Sequence, residues 1–209
     1  MSFSLNEVEA TAKRATRGAG YSWGTAEEAA KATRWLCAHG QDGAVALAEL
    51  LNAGYGSAAT DHAPQNLDEI WQCSGNLCAL VTGACLSDCA QLLSDRPVQM
   101  RGVSVPMMIL PFAASAARTL KASVSVECGD VVAVTDGSQL SITGPFPNEA
   151  RELRISRGGV IADTQPIMTR ARPNADAWRA LNTFAHRTYA PATEESRLLG
   201  AGAGLSDND

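Results

Sequence analysis

The chain has 209 residues, 45% of them hydrophobic and 19% charged, and a formal net charge of −5 at pH 7. Such a length holds one large domain or two small, closely packed ones, with enough apolar residues for a full core. The acidic balance argues against nucleic acid as a partner, since that needs a basic face, and it offers no attraction to an anionic membrane surface.

Residues 1–54 predict three helices. Ser4-Leu5-Asn6-Glu7 is a capping box: the serine oxygen receives the glutamate amide, and the glutamate reaches back to the serine amide. Leu5, Val8, Ala12 and Ala15 then recur at helical spacing, and Gly18 and Gly20 stop the run. Thr25-Ala26-Glu27-Glu28 reads as a second box, opening a helix through Ala29, Ala32, Trp35 and Leu36 that ends at Gly40. Asp42 caps a third helix, carrying Val45, Leu47, Leu50 and Leu51 and finishing at Gly54. Their alanine content predicts close helix–helix approach.

The composition of residues 54–66 marks a loop. Beyond it the pattern predicts a short helix from Leu67 to Trp71, a buried strand over Leu77–Val81, a short helix from Leu86 to Leu93 and a helix from Phe112 to Leu120. The clearest β region follows. Ser123 to Cys128 alternates, Val131 to Thr135 comes after Gly129-Asp130, and Leu140 to Thr143 comes after Asp136-Gly137, so a meander is expected. Leu153–Ser156 and Val160–Ala162 are expected to extend this sheet. Asn174 caps a last helix bearing Trp178, Leu181 and Ala185 on one face, and Pro191 ends it before a glycine-rich tail.

The fold class expected is therefore α+β: an N-terminal helical layer packed on a mainly antiparallel sheet, closed by a C-terminal helix and the tail. One domain over residues 1–209 is expected, with a helical part at 1–72, a mixed sheet part at 73–172 and the closing helix and tail at 173–209. The N-terminus shows no basic region followed by an apolar run, and no apolar stretch approaches the roughly 18 residues of a membrane span. A cytoplasmic setting follows as the expectation, with reduced thiols.

Three segments together carry a family resemblance. They are Ser4-Leu5-Asn6-Glu7-Val8-Glu9-Ala10, then Gly20-Tyr21-Ser22-Trp23-Gly24 with Glu27-Glu28, and the terminal Ser196-Arg197…Gly200-Ala201-Gly202-Ala203-Gly204…Asp207-Asn208-Asp209. In these the chain resembles a bacterial group of proteins of similar length, catalogued only as a domain of unknown function. The resemblance implies a bacterial cytoplasmic protein and supplies no catalytic residue. Over residues 4–54 the helix order is also similar to the N-terminal helices of the malate and sulfolactate type of NAD(P)-dependent dehydrogenases. This chain departs from their Asp-Ser-His-Gly segment, reading Ala38-His39-Gly40-Gln41-Asp42-Gly43, and nothing beyond residue 54 matches.

The candidate sites each have a plainer reading beside them. Gly200, Gly202 and Gly204 allow successive backbone N–H groups to face one anion, with Arg197 to pair a carboxylate or phosphate; the same glycines also suit a flexible connector. The run lacks the spacing of a dinucleotide fingerprint and the Gly-Lys-Ser/Thr of a P-loop. Asp207, Asp209 and the terminal carboxylate are hard oxygen donors, or simply a solvated acidic end.

Cys73, Cys78, Cys85 and Cys89 are dense enough to consider for metal, but they lack C-x-x-C pairs and sit among apolar neighbours, so no metal is assigned. Cys89 beside Asp88 is the candidate nucleophile. Of the histidines, His62 in its polar loop and His39 at a helix C-terminus are the candidate bases. Trp23, Trp35, Trp71 and Trp178 suit core packing, or stacking on a ligand. The expected function is binding of, or chemistry on, a small anionic metabolite, with the cofactor unknown. The alternative is an accessory or assembly subunit that forms a homo-oligomer.

Overall fold

In a computed structural model the structure describes residues 1–189. Pro191, Arg197, Gly200, Gly202, Gly204, Asp207 and Asp209, on which expectations rest above, lie outside the described residues.

A two-residue strand β1 (Phe3–Ser4) leads into α1 (Leu5–Gly18), where both halves of the Ser4/Glu7 capping box form: Glu7 N–H donates to Ser4 Oγ at 3.2 Å, and Ser4 N–H to Glu7 Oε2 at 2.7 Å. Helix α2 (Trp23–Ala38) starts earlier than its expected box. Its cap is Ser22, whose Oγ accepts from Thr25 N–H at 3.1 Å, and Thr25 lies inside the first turn. Two serine/threonine positions three apart compete for the cap, and the extended backbone of Ser22 decides between them. Helix α3 (Gly43–Asn52) is capped by Asp42 Oδ1 on Val45 N–H, and Asp42 Oδ2 also accepts from Asn174 N–H at 2.9 Å. One carboxylate thus fixes where two distant helices begin.

The segment expected to be a loop holds a 3₁₀ turn, Tyr55–His62. Leu67–Trp71 is not a helix: Asn66 Oδ1 accepts from Asp68 N–H in a tight turn, and Trp71 runs beside a strand instead. The buried run Leu77–Val81 is divided between β2 (Leu77–Cys78) and α4 (Ala79–Asp88), and α5 (Leu92–Asp95) is a separate turn. Short apolar runs carry no period long enough to separate strand from helix.

Next come β3 (Val98–Ser104), a 3₁₀ turn at Pro106–Ile109, and α6 (Leu110–Leu120). The expected meander forms as β4 (Val124–Cys128), β5 (Val131–Thr135) and β6 (Leu140–Ile142), and β7 (Glu149–Arg157) follows. Val160–Ala162 is not a strand. The chain passes through β8 (Arg170–Ala171), which pairs with β1, to α7 (Ala175–His186), capped by Asn174 as expected.

The fold is α+β. The main sheet has the order β2-β3-β7-β4-β5-β6 and is antiparallel except between β2 and β3. One of its faces packs under α6, which in turn meets α2 and α4. The main core runs from Leu36, Leu47 and Leu50 through Leu80 and Met108 to Val124, Val126 and Ile155, with a smaller cluster of Val8, Cys37 and Ala171 beside it. Gly83 lets α4 and α6 touch, since a Cβ there would lie 2.2 Å from the Phe112 ring. Helix α7 closes the helical layer by burying Leu181 and Ala185 against α1 and α3.

Candidate functional site

The outer side of the sheet is polar. In β3, Val98 and Met100 turn to the core while Gln99 and Arg101 face out, as period two requires. At Gly102, φ is +63°, and the order then flips: Val103 and Ser104 are buried. Strand β7 flips opposite it, burying Ala150, Leu153 and Ile155. The register holds on both sides of this point, with Arg101 across from Glu152 and Val103 across from Ala150.

The neighbouring edge is interrupted at the same place. Trp71 N–H donates to the Gln99 carbonyl at 2.8 Å, and Arg101 N–H donates to the Trp71 carbonyl at 2.9 Å. The chain then bows away over residues 72–76 and rejoins β3 where Leu77 meets Val103. The bow leaves a notch of about 510 Å³ lined by Gln72, Cys73, Asn76, Arg101, Glu149 and Arg151. Gly102 forms its floor, and a Cβ there would stand 3.1 Å from Asn76 Oδ1.

Charges in the notch are unevenly satisfied. The Asn76 side-chain amide donates to the Glu149 carboxylate. Arg101 reaches Glu152 only at 3.8 Å, with both side chains more than half exposed, and such a pair adds little. Among the described residues Arg151 has no ion-pair partner. Cys73 is half-buried, and its thiol donates to the Gly75 carbonyl at 3.3 Å.

His62 stands behind the notch. Its Nδ1–H donates to the Asn76 carbonyl at 2.8 Å, so in the neutral ring Nε2 carries the free lone pair. Its ring leans on Tyr55 at 4.1 Å, and the Tyr55 and Ser104 hydroxyls share a 2.7 Å hydrogen bond. Tyr21 meets Cys78 in the same way at 3.4 Å, where burial pushes the phenol far above its usual range and raises the Cys78 thiol.

His39 lies elsewhere, 4% exposed, with Nδ1 2.8 Å from the Trp35 carbonyl and Nε2 3.0 Å from that of Ser138. Both partners are carbonyl acceptors, so the neutral ring bonds one at a time, and it lies between α2 and the β5–β6 turn. The structure does not bring the two histidines together.

The cysteine group is dispersed among separate environments. Cys78 is buried, Cys73 opens on the notch, and Cys85 and Cys89 lie on and just after α4. Burial, with Cys89 beside it, pushes the Cys85 thiol up to about 11. Among the described residues no three His, Cys, Asp or Glu side chains gather as a metal-holding group. Trp71 is fully buried, whereas Trp23 is 60% exposed under the cations of Lys13 and Arg17.

Arg101 and Arg151 escaped the sequence reading. The available signal was a glycine inside a strand pattern, next to an outward arginine, which marks a bulge or a close approach.

The architecture is thus an α+β fold whose sheet edge opens at one glycine beside two arginines. Residues 3–75 match the family described as Protein of unknown function (DUF3726), so the resemblance to a family of unknown function holds over the helical part and the start of the bow. No curated protein and no solved structure matches the chain. Among the described residues no helix is long and apolar enough to cross a membrane.

Proposed function

We propose that this protein binds a small anionic metabolite in the notch, with Arg101 and Arg151 taking the charge and Asn76 and Gln72 orienting the ligand. The observation carrying this reading is the sheet-edge gap, where Arg151 lines a concave surface without an ion-pair partner among the described residues, the one lining carboxylate, Glu149, being bonded to Asn76. Guanidinium groups hold carboxylates and phosphates through paired, charge-assisted hydrogen bonds. His62 does not line the notch, and meets it only through the Asn76 carbonyl, so the binding reading stands without a base. The six free cysteines fit a reducing, cytoplasmic setting.

Cys73 reports on occupancy because it lines the notch. Dicarboxylates and phosphate esters are expected to slow its alkylation by iodoacetamide and to raise the melting temperature. Arg151→Ala weakens that protection about tenfold or more, the loss of one charge-assisted contact at ~1.5–3 kcal/mol. If no anion in such a panel changes either readout in the unmodified protein, the reading fails.

A second reading, self-association as an assembly subunit, rests on Val160 at 84% and Ile167 at 63% exposure in the segment before β8. Sedimentation velocity on Val160→Glu/Ile167→Glu protein tests it: a homo-oligomer through this segment dissociates, and an unchanged sedimentation coefficient removes the segment from any interface.

A further inference from the structure

A second concavity lies between α2 and α6. It measures about 400 Å³ and is lined by Lys31, Trp35, Phe112, Ser115 and Arg118, with Glu28 at its rim. The volume falls within the range of small-molecule pockets, roughly 300–1,000 Å³.

Three features of its chemistry point the same way. The Trp35 indole Nε1–H is closed off from solvent and has no acceptor among the described residues. A buried donor left without an acceptor is as costly as a lost hydrogen bond, so native proteins rarely keep one. Arg118 gives one N–H to the Gly137 carbonyl at 2.7 Å, and among the described residues its charge meets no carboxylate. The one carboxylate at the rim, Glu28, is already neutralised by Lys31 at 2.8 Å. The cleft therefore presents an uncompensated guanidinium above an apolar floor of Pro111, Phe112 and Ala32, with an unpartnered indole N–H buried in its wall.

We propose that this cleft binds a small carboxylic acid with an apolar body. Its carboxylate accepts from the Arg118 guanidinium, and from the Trp35 indole N–H once the ring turns on its bed against His39, from which it now stands 4.0 Å. Its hydrocarbon part lies on Phe112 and Pro111. The site is separate from the notch and shares no lining residue with it.

Benzoate and acetate serve as probes, read by the indole N–H resonances in ¹⁵N-edited spectra of uniformly labelled full-length protein. Trp35→Phe, which keeps an aromatic ring but removes the N–H along with the rest of the five-membered ring, assigns the Trp35 signal. Benzoate at millimolar concentration is expected to move the Trp35 resonance saturably downfield, and acetate more weakly. Arg118→Gln is expected to weaken benzoate about tenfold, the effect of one charge-assisted contact. Arg151→Ala is expected to leave the titration unchanged, whatever becomes of the notch.

A Trp35 resonance that no carboxylate moves overturns the proposal. So does a shift that chloride reproduces, or one lost in Arg151→Ala. Equal response to acetate and benzoate overturns the apolar part of the assignment.

Discussion

Helices α1, α2 and α3 bury Ala12, Ala15, Ala29, Ala32, Ala44 and Ala48 with Leu36 and Leu47, whereas the outer side of β3 and β7 displays Gln99, Arg101, Glu152 and Arg154 to solvent. Both regions are regular secondary structure made by one chain. In the helical layer small side chains bring backbones together, and the buried hydroxyls of Thr16 and Thr33 bond back to their own helices. On the sheet the one departure from regularity, at Gly102, coincides with the gap in edge pairing and with the loosely paired arginines. Stability is concentrated where the pattern is monotonous, and chemistry is available where the pattern breaks.

Four substitutions test that division, the largest effect first. Leu47→Ala leaves a cavity at a fully buried position and is expected to cost ~2–5 kcal/mol in urea denaturation. A value under 1 kcal/mol in that experiment would show the helical layer to be softer than its burial indicates. Gly83→Ala forces a methyl group into the Phe112 ring between α4 and α6, and a loss of ~1–3 kcal/mol is expected despite the better helix propensity of alanine.

Asp136→Ala comes next. Asp136 Oδ1 accepts from the backbone N–H groups of Ser138 and Gln139, both at 2.8 Å, which holds its carboxyl below the ordinary 3.8. A depressed carboxyl contributes stability that is present above its unfolded value and lost as pH falls through the lower folded one. Parent and variant are therefore expected to differ by about 1 kcal/mol or less at neutral pH, given solvent screening. They should converge in acid below about pH 3, and a gap independent of pH would mean that the turn is held by other bonds. Arg151→Ala is expected to change stability by less than ~0.5 kcal/mol while removing anion protection of Cys73. Should it unfold the protein, the notch arginine is structural and the contrast between the two regions collapses.

Much of the helical layer could be read from sequence because its signals are local. Ser4 with Glu7, Asp42 with Val45, and Asn174 with Ala177 are each separated by three residues, and every cap formed where expected. The cap of α2 was misplaced by one turn because Ser22 and Thr25 satisfy the same local rule. The meander β4–β5–β6 was legible through its turn dipeptides. The position of β7 between β3 and β4 was not, because strand order depends on pairings such as Met100 with Leu153, far apart in the chain. Trp71 was read as helix for the same reason: its partners are the backbone groups of Gln99 and Arg101.

The site was less legible than the fold. His62 was singled out as a loop histidine, but its link to Asn76 spans a bow that no periodicity marks. Arg101 and Arg151 acquire meaning only once β3 and β7 lie side by side.

The pairing of β1 with β8, together with the stack of Phe3 on Trp178 at 4.2 Å, joins the first residues of the chain to segments near the end of the described structure. The N-terminal helices can form as soon as they are synthesised, but the walls supplied by Leu181 and Ala185 arrive only with α7. Closing so long a loop slows folding and leaves the groove between α1 and α3 uncovered until late. The stretch at residues 3–75 that carries the family match ends before α7, so the side of α1 and α3 that meets Leu181 and Ala185 is covered only by residues outside it. Made alone, it would present that groove to whatever apolar chain it met first.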